Sequence, residues 1–166
     1  MTEKKQQESQ EKILILHNIR SVLNVGAIFR TSDAIGIDKV YLSGYTPAPI
    51  DRFGRERGDL AKSALGAEKS VSWESHSDIF ELINLLKKDG FEILSLEQSE
   101  NSIDYKTVAN KISEKIAVIL GNETDGVDNK ILELSDKIIE IPMRGEKESL
   151  NVSVATGILL YRLFDN

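Results

Sequence analysis

Residues 116–120 read Ile-Ala-Val-Ile-Leu, an unbroken apolar run closed by Gly121. A run this short and this apolar suits a strand buried on both faces, which demands helices on both sides of its sheet. The rest of the chain supplies them. Strand-like segments at 13–16, 39–42, 91–96 and 137–141 alternate with segments of helical period. Helices are expected from Asn24 to near Gly36, around 59–65, over 127–134 and over 151–164. Another should start at a Ser77 cap, present Ile79, Phe80, Ile83 and Leu86 on one face, and stop at Gly90. A weak strand is expected near 70–72, after a long loop containing Pro47, Pro49, Gly54 and Gly58. The alternation predicts the α/β class, with a mostly parallel sheet covered on both faces. No repeat or break in composition marks a second domain, and 166 residues suit one core. Residues 13–166 therefore read as one domain, preceded by a polar tail at 1–12 that has almost nothing to bury.

Composition removes several chemistries. There are no cysteines, so disulfides, thiolate metal sites and cysteine nucleophiles are excluded. His17 and His76 have no ligand spacing, so no metal site is expected. Neither a membrane-length apolar run nor a signal peptide is visible, and a soluble cytoplasmic protein is expected. The formal net charge of −6 argues at face value against a nucleic-acid partner. Its distribution reverses that reading. Residues 1–62 hold 10 Lys+Arg against 8 Asp+Glu and carry five of the seven arginines, so the acid lies in the remainder.

In open parallel sheets, ligands bind beyond the carboxyl ends of the strands. Three such segments stand out. After 13–16 comes Asn24-Val25-Gly26-Ala27-Ile28-Phe29-Arg30-Thr31, in which Asn24 can cap a helix and Gly26 permits close backbone approach. Arg30 reads either as a surface arginine paired with Asp33 or Glu123, or as a functional group. After 116–120 comes Gly121-Asn122-Glu123-Thr124-Asp125-Gly126. This loop fits neither a dinucleotide fingerprint nor a P-loop. After 137–141 comes Pro142-Met143, then Ser149-Leu150-Asn151-Val152-Ser153-Val154-Ala155, with an ordinary cap at Asn151 or Ser149 and small residues, including Gly157, that suit close packing.

Together with Gly66-Ala67-Glu68, these segments resemble the signature motifs of the SpoU/TrmH branch of the SPOUT RNA methyltransferases, over about residues 13–164. The resemblance implies a SPOUT-type domain with a C-terminal trefoil knot, which periodicity does not suggest. It also implies S-adenosylmethionine as cofactor, held by Leu96 and Glu97, by Gly121, Asn122 and Glu123, and by Ile141, Met143, Leu150 and Asn151. The implied reaction is methyl transfer to a ribose 2′-hydroxyl of RNA. Arg30 is the implied central catalytic residue, with Asn24, Glu123, Asn151 and Ser153 around it: Asn24 to position Arg30 or the ribose, Glu123 to orient the arginine, and Asn151 and Ser153 to order cofactor and acceptor. A homodimer with a shared site is implied as well.

With no appended RNA-binding module in view, Arg20, Arg30 and the loop bearing Arg52, Phe53, Arg55 and Arg57 are the expected RNA contacts, arginines for phosphate and an aromatic for a stacked base. The competing reading is a solvated loop interrupted by Asp51, Glu56 and Asp59. The favoured substrate is tRNA. The alternatives are rRNA, a base rather than a ribose as acceptor, and a non-catalytic RNA-binding or assembly factor.

Overall fold

The computed structural model describes residues 10–108 and 112–165, so most of the tail expected at 1–12 lies outside the described residues. Of that tail, Glu11 and Lys12 already belong to the first strand, β1 (Glu11–His17). Then follow α1 (Val22–Ile35), β2 (Lys39–Ser43), α2 (Gly58–Ala64), α3 (Ala67–Ser70), β3 (Ser72–His76), α4 (Ile79–Lys88) and β4 (Glu92–Leu96). The chain continues through β5 (Ile103–Asp104), a 3-10 turn at Tyr105–Thr107, β6 (Lys115–Leu120), α5 (Asn129–Leu134), β7 (Lys137–Glu140) and α6 (Val152–Phe164).

Among the described residues the strands form one sheet in the order β3-β2-β1-β6-β4-β7-β5, with every neighbouring pair parallel. β6 is central as its unbroken apolar run requires, and Ile116 to Leu120 are all essentially inaccessible. Alternate side chains feed two cores. Leu14, Leu16, Val118 and Leu120 pack with Val25, Ile28 and Phe29 of α1 and with Leu159, Leu160 and Leu163 of α6. Ile13, Ile15, Ala117 and Ile119 pack on the other face with Ile79, Leu82, Ile83 and Leu86 of α4 and with Ile131 of α5.

Several boundaries differ from the sequence reading. α1 is capped by Ser21, whose side chain accepts from the Asn24 N–H; Asn24 itself lies inside the first turn. α4 is capped by Asp78 instead of Ser77, because the Asp78 carboxylate reaches both Phe80 N and Glu81 N. Phe80 is exposed and Leu82 takes its place in the core face. Residues 67–70 are a helical turn, so β3 begins only at Ser72. The two-residue β5 is too short for any periodicity to announce.

Gly26 does permit a close approach. A Cβ there would lie 2.6 Å from the Leu60 carbonyl oxygen and 3.0 Å from Ala64 N, so α2 rests directly on the α1 backbone. Gly157 on α6 is different: a Cβ would meet only Thr31 Cγ2 at 3.9 Å, an ordinary contact. The connection leaving β1 runs to β2 on one side, and that leaving β6 runs toward β7 on the other. Adjacent strands whose connections diverge open a crevice at their carboxyl ends, the usual ligand position in such sheets.

Candidate active site

The loop after β6 is built by its own backbone and one side chain. Asn122 N donates to Gly126 O at 3.0 Å and Gly126 N to Asn122 O at 2.9 Å, closing a tight turn. Asn122 Oδ1 accepts from Thr124 N and Asp125 N at 2.8 Å each. Its Nδ2 donates to Asn18 O at 3.0 Å and to Tyr45 Oη at 2.7 Å. Both glycines are required. A Cβ on Gly121 would sit 2.4 Å from the Gly126 carbonyl, and Gly126 has φ +70 with its Cβ position 2.0 Å from Glu97 Oε2. That Glu97 oxygen accepts from Val127 N at 2.8 Å, tying the end of β4 to the loop.

The turn raises Glu123 to the start of α1. Its carboxylate accepts from Arg20 N and Ser21 N at 3.0 Å each, and from Asn24 Nδ2 at 3.4 Å. Burial pushes against the Glu123 charge, but the N–H groups of Arg20 and Ser21, aided by Asn24, outweigh it and hold the carboxyl below its ordinary value. Asn24 Oδ1 in turn accepts from Asn151 Nδ2 at 3.1 Å. Asn151 caps α6 through Oδ1, which accepts from Ser153 N at 2.9 Å and from Ser153 Oγ at 2.6 Å. One hydrogen-bonded chain therefore runs from Glu123 through Asn24 to Asn151 and Ser153, joining all three segments singled out in the sequence.

Behind this chain lies a cavity of about 370 Å³. Leu96, Glu97, Gly121, Asn122, Glu123, Ile141, Met143 and Leu150 all line it. Asn151 and Ser153 do not; their side chains are spent on the α6 cap and on Asn24. The sequence did not assign Gln98, Leu120, Thr124, Asp125, Gly126, Glu140, Glu148, Ser149, Val152 and Ala155 to this lining. Most of these flank residues already named, so adjacency was the available signal. Gln98 follows Glu97, but its long reach had no signal: its Nε2 donates to Glu148 O at 2.7 Å, across a separation of 50 residues. The lining mixes apolar residues with the acidic residues Glu97, Glu123, Asp125, Glu140 and Glu148.

Arg30 stands apart. It is exposed on α1, is not in the cavity lining, and its side chain has no hydrogen bond or ion pair among the described residues. Neither pairing of the surface-arginine alternative occurs. Asp33 accepts from Ser70 Oγ at 2.5 Å, and Glu123 is occupied by Arg20, Ser21 and Asn24. Glu123 thus orients the backbone that leads into α1 and leaves the arginine alone.

The loop after β2 is ordered by its own acid. Asp51 Oδ1 accepts from Phe53 N at 2.8 Å and Arg55 N at 3.0 Å, while Oδ2 accepts from Arg55 Nε at 3.0 Å. Phe53 remains 65% exposed, with the Arg52 and Arg55 guanidiniums 4.7 and 5.0 Å from its ring centroid. Arg57 is held by Asp59 at 3.0 Å. Asp51 thus builds the platform and forms an ion pair with Arg55, Asp59 forms one with Arg57, and Glu56 reaches Lys69. His17, half-buried, bonds Ser43 Oγ at 3.0 Å and Asn18 at 3.2 Å, and burial lowers its pKa. Among the described residues no group of histidine and acidic side chains could hold a metal ion.

The chain matches the SpoU rRNA Methylase family over residues 11–161. It is 37% identical over 151 residues to a protein of Borreliella burgdorferi described as an uncharacterized tRNA/rRNA methyltransferase, covering 91% of this chain and 62% of that one. It is 33% identical over 138 residues to the tRNA (guanosine(18)-2′-O)-methyltransferase of Escherichia coli, covering 83% and 56%. The AdoMet-bound rRNA methyltransferase of Sinorhizobium meliloti superposes with a TM-score of 0.82 at 25% identity, over 92% of this chain and 55% of that one. The chain thus spans less than two-thirds of the length of each of these three proteins.

Proposed function

This chain belongs to the SpoU rRNA Methylase family, and from that premise we propose that it transfers a methyl group from S-adenosylmethionine to a ribose 2′-hydroxyl of RNA, with tRNA the favoured substrate. The observation that carries this reading is the hydrogen-bonded chain Glu123–Asn24–Asn151, which joins three separate segments at the mouth of one cavity. The similarity to an E. coli tRNA 2′-O-methyltransferase favours tRNA over rRNA.

The lining fits the cofactor chemically. Leu96, Ile141, Met143 and Leu150 offer apolar walls for an adenine ring. The surrounding carboxyl groups suit a ligand bearing a sulfonium and an ammonium. When bound, S-adenosylmethionine supplies an electrophilic methyl group. The chain's own residues bind and orient: Glu123 and Asn24 fix the entry to α1, and Asn151 with Ser153 fixes the start of α6. Arg30 binds an RNA phosphate and orients the hydroxyl, since a guanidinium stays protonated and is a poor base. Phe53 stacks a base, while Arg52 and Arg55, together with Arg20 and Arg57, meet phosphates.

Arg30 lies outside its own chain's cavity, which supports a homodimer with a shared site. So do exposed Leu23 on α1 and Val154 and Tyr161 on α6, and the packing freedom at Gly157. A C-terminal trefoil knot accords with β7 lying between β4 and β5 and with α6 packing back on α1. No helix among the described residues is long and apolar enough to cross a membrane, and we assign the protein to the cytoplasm with its RNA.

The test is 2′-O-methylation mapping of total RNA from a strain lacking the gene, with calorimetry using S-adenosylmethionine and its demethylated product. One lost tRNA signal is the expected result. A lost rRNA signal would reassign the substrate. No lost signal and no binding of either compound would favour a non-catalytic assembly factor.

A further inference from the structure

A second, more open cavity of about 550 Å³ is lined by Arg20, Val22, Tyr45, Pro47 and Arg57. It shares two hydrogen-bonded walls with the first. Asn122 lines the first cavity and donates to Tyr45 Oη at 2.7 Å, while Glu123 lines the first and accepts from Arg20 N at 3.0 Å. Its chemistry is the reverse of its neighbour's. No carboxylate lines it, whereas several line the first.

Donors remain available in this cavity. Tyr45 is 57% exposed, and its hydroxyl, accepting from Asn122, keeps its own proton to donate. The Arg20 guanidinium has no partner among the described residues. Arg57 uses Nε and Nη2 on Asp59, which leaves Nη1. Val22 and Pro47 add apolar surface. An exposed aromatic face with a hydroxyl donor and two guanidiniums matches a ligand with a flat π-face, ring acceptors and phosphates.

We propose that this second cavity takes the base of the acceptor nucleotide, stacked on Tyr45 with its flanking phosphates on Arg20 and Arg57. Its position supports that assignment, because Val22 and Arg20 flank Ser21, the cap of the helix that carries Asn24. A nucleotide seated there directs its ribose toward Asn24 and the mouth of the first cavity. The Tyr45–Asn122 bond makes the tyrosine also a positioning residue, transmitting occupancy to the loop at 121–126. The inference rests on the methyltransferase reading for its catalytic consequence, but not for its binding site.

The test uses the full chain and two measurements. In the first, each of the four ribonucleoside 5′-monophosphates is titrated while NMR follows the Tyr45 ring and the Asn122 side-chain amide. Saturable shifts at both groups, with unequal affinity among the four bases, are expected. In the second, methyl transfer to RNA is compared in wild type, Tyr45→Ala and Tyr45→Phe. Tyr45→Ala should raise the KM for RNA roughly tenfold, as loss of one stacked base does. Tyr45→Phe keeps the ring and should restore KM while kcat falls, because the bond to Asn122 is gone. Monophosphates that leave both groups unshifted, or a folded Tyr45→Ala with wild-type KM, would overturn the proposal. Should Tyr45→Ala fail to fold, the KM and kcat of Tyr45→Phe decide in its place. If the wild type transfers no methyl group, the methyltransferase reading fails, and the NMR titration alone decides the pocket.

Discussion

Asn151 donates its side-chain amide to Asn24 Oδ1 at 3.1 Å across a separation of 127 residues, and Asn24 passes the connection on to Glu123. The starts of α1 and α6 are thereby held in one relative position beside the cavity. Asn24→Ala should reduce kcat/KM for methyl transfer by about a hundredfold, the scale of a small misplacement of reacting groups. The melting temperature should change little, because the bond is exposed. A double-mutant cycle with Asn151→Ala measures the coupling, and full additivity of the two losses in activity would show that the bond does not matter.

Glu123 gives a pH signature. Its carboxyl is held low chiefly by two backbone N–H groups acting against burial. A depressed carboxyl contributes stability above its unfolded value, about 4.5 here, and loses it as the pH falls through the lower folded value. The Arg20 and Ser21 amide resonances should therefore stay constant from neutral pH to about pH 5 and move together only below the ordinary carboxylate range. Glu123→Gln presents a donor where the second N–H expects an acceptor, so it should accelerate hydrogen exchange at one or both amides.

Much of this site was legible because strand ends are marked by chemistry. An apolar run followed by Gly121, and Pro142 after residues 137–141, announce where the cavity must open. The partners of the polar residues were not legible. Glu123 has Arg20, Ser21 and Arg30 all within reach of a plausible drawing, and only the geometry of the 122–126 turn selects the backbone over the guanidinium. The caps failed in a similar way. Ser21 and Asn24 are both good cap residues, as are Ser77 and Asp78, and propensity does not rank neighbours one to three positions apart. β5 and the Gln98–Glu148 bond depend on the late strands crossing over earlier ones, and no local pattern encodes that.

Gly126 and Gly90 separate two costs of a glycine. Both have positive φ, +70 and +86, but a Cβ at Gly90 meets nothing within 4 Å, while one at Gly126 meets the Glu97 carboxylate. Gly90→Ala should cost about 1–2 kcal/mol of stability, the backbone strain alone, and leave S-adenosylmethionine affinity intact. Gly126→Ala should carry the same strain and also displace Glu97 from Val127 N, weakening cofactor binding at least tenfold by calorimetry. Equal affinities in the two variants would mean that the Glu97 contact does not shape the cavity.

Arg30 makes the opposite prediction. Because its side chain lies outside the cavity lining and is unpaired among the described residues, Arg30→Ala should leave both melting temperature and cofactor affinity near wild type. Methyl transfer should fall by about a hundredfold or more. Arg30→Lys should rescue little, since an ammonium cannot reproduce a planar, bidentate grip on phosphate. Near-normal transfer by Arg30→Ala would remove the arginine from the mechanism.

His17 supplies a second pH window, separate from that of the carboxylates. It is half-buried between Ser43 Oγ and the Asn18 side chain. Desolvation lowers its pKa, although nearby Asp128 partly offsets this. The unfolded chain therefore binds a proton at this position at a higher pH than the folded protein does. Stability rises with pH wherever the unfolded state holds more protons. The His17 contribution is thus complete above its unfolded value of about 6.5 and is lost as the pH falls through the lower folded value. Thermal denaturation at pH 7.5 and pH 5.5 should show a drop in melting temperature that His17→Gln reduces, since glutamine has no proton to gain. The depressed carboxyls of Glu92 and Glu123 act only below this interval and cannot mimic the effect. An identical drop in His17→Gln would assign the pH dependence to another group.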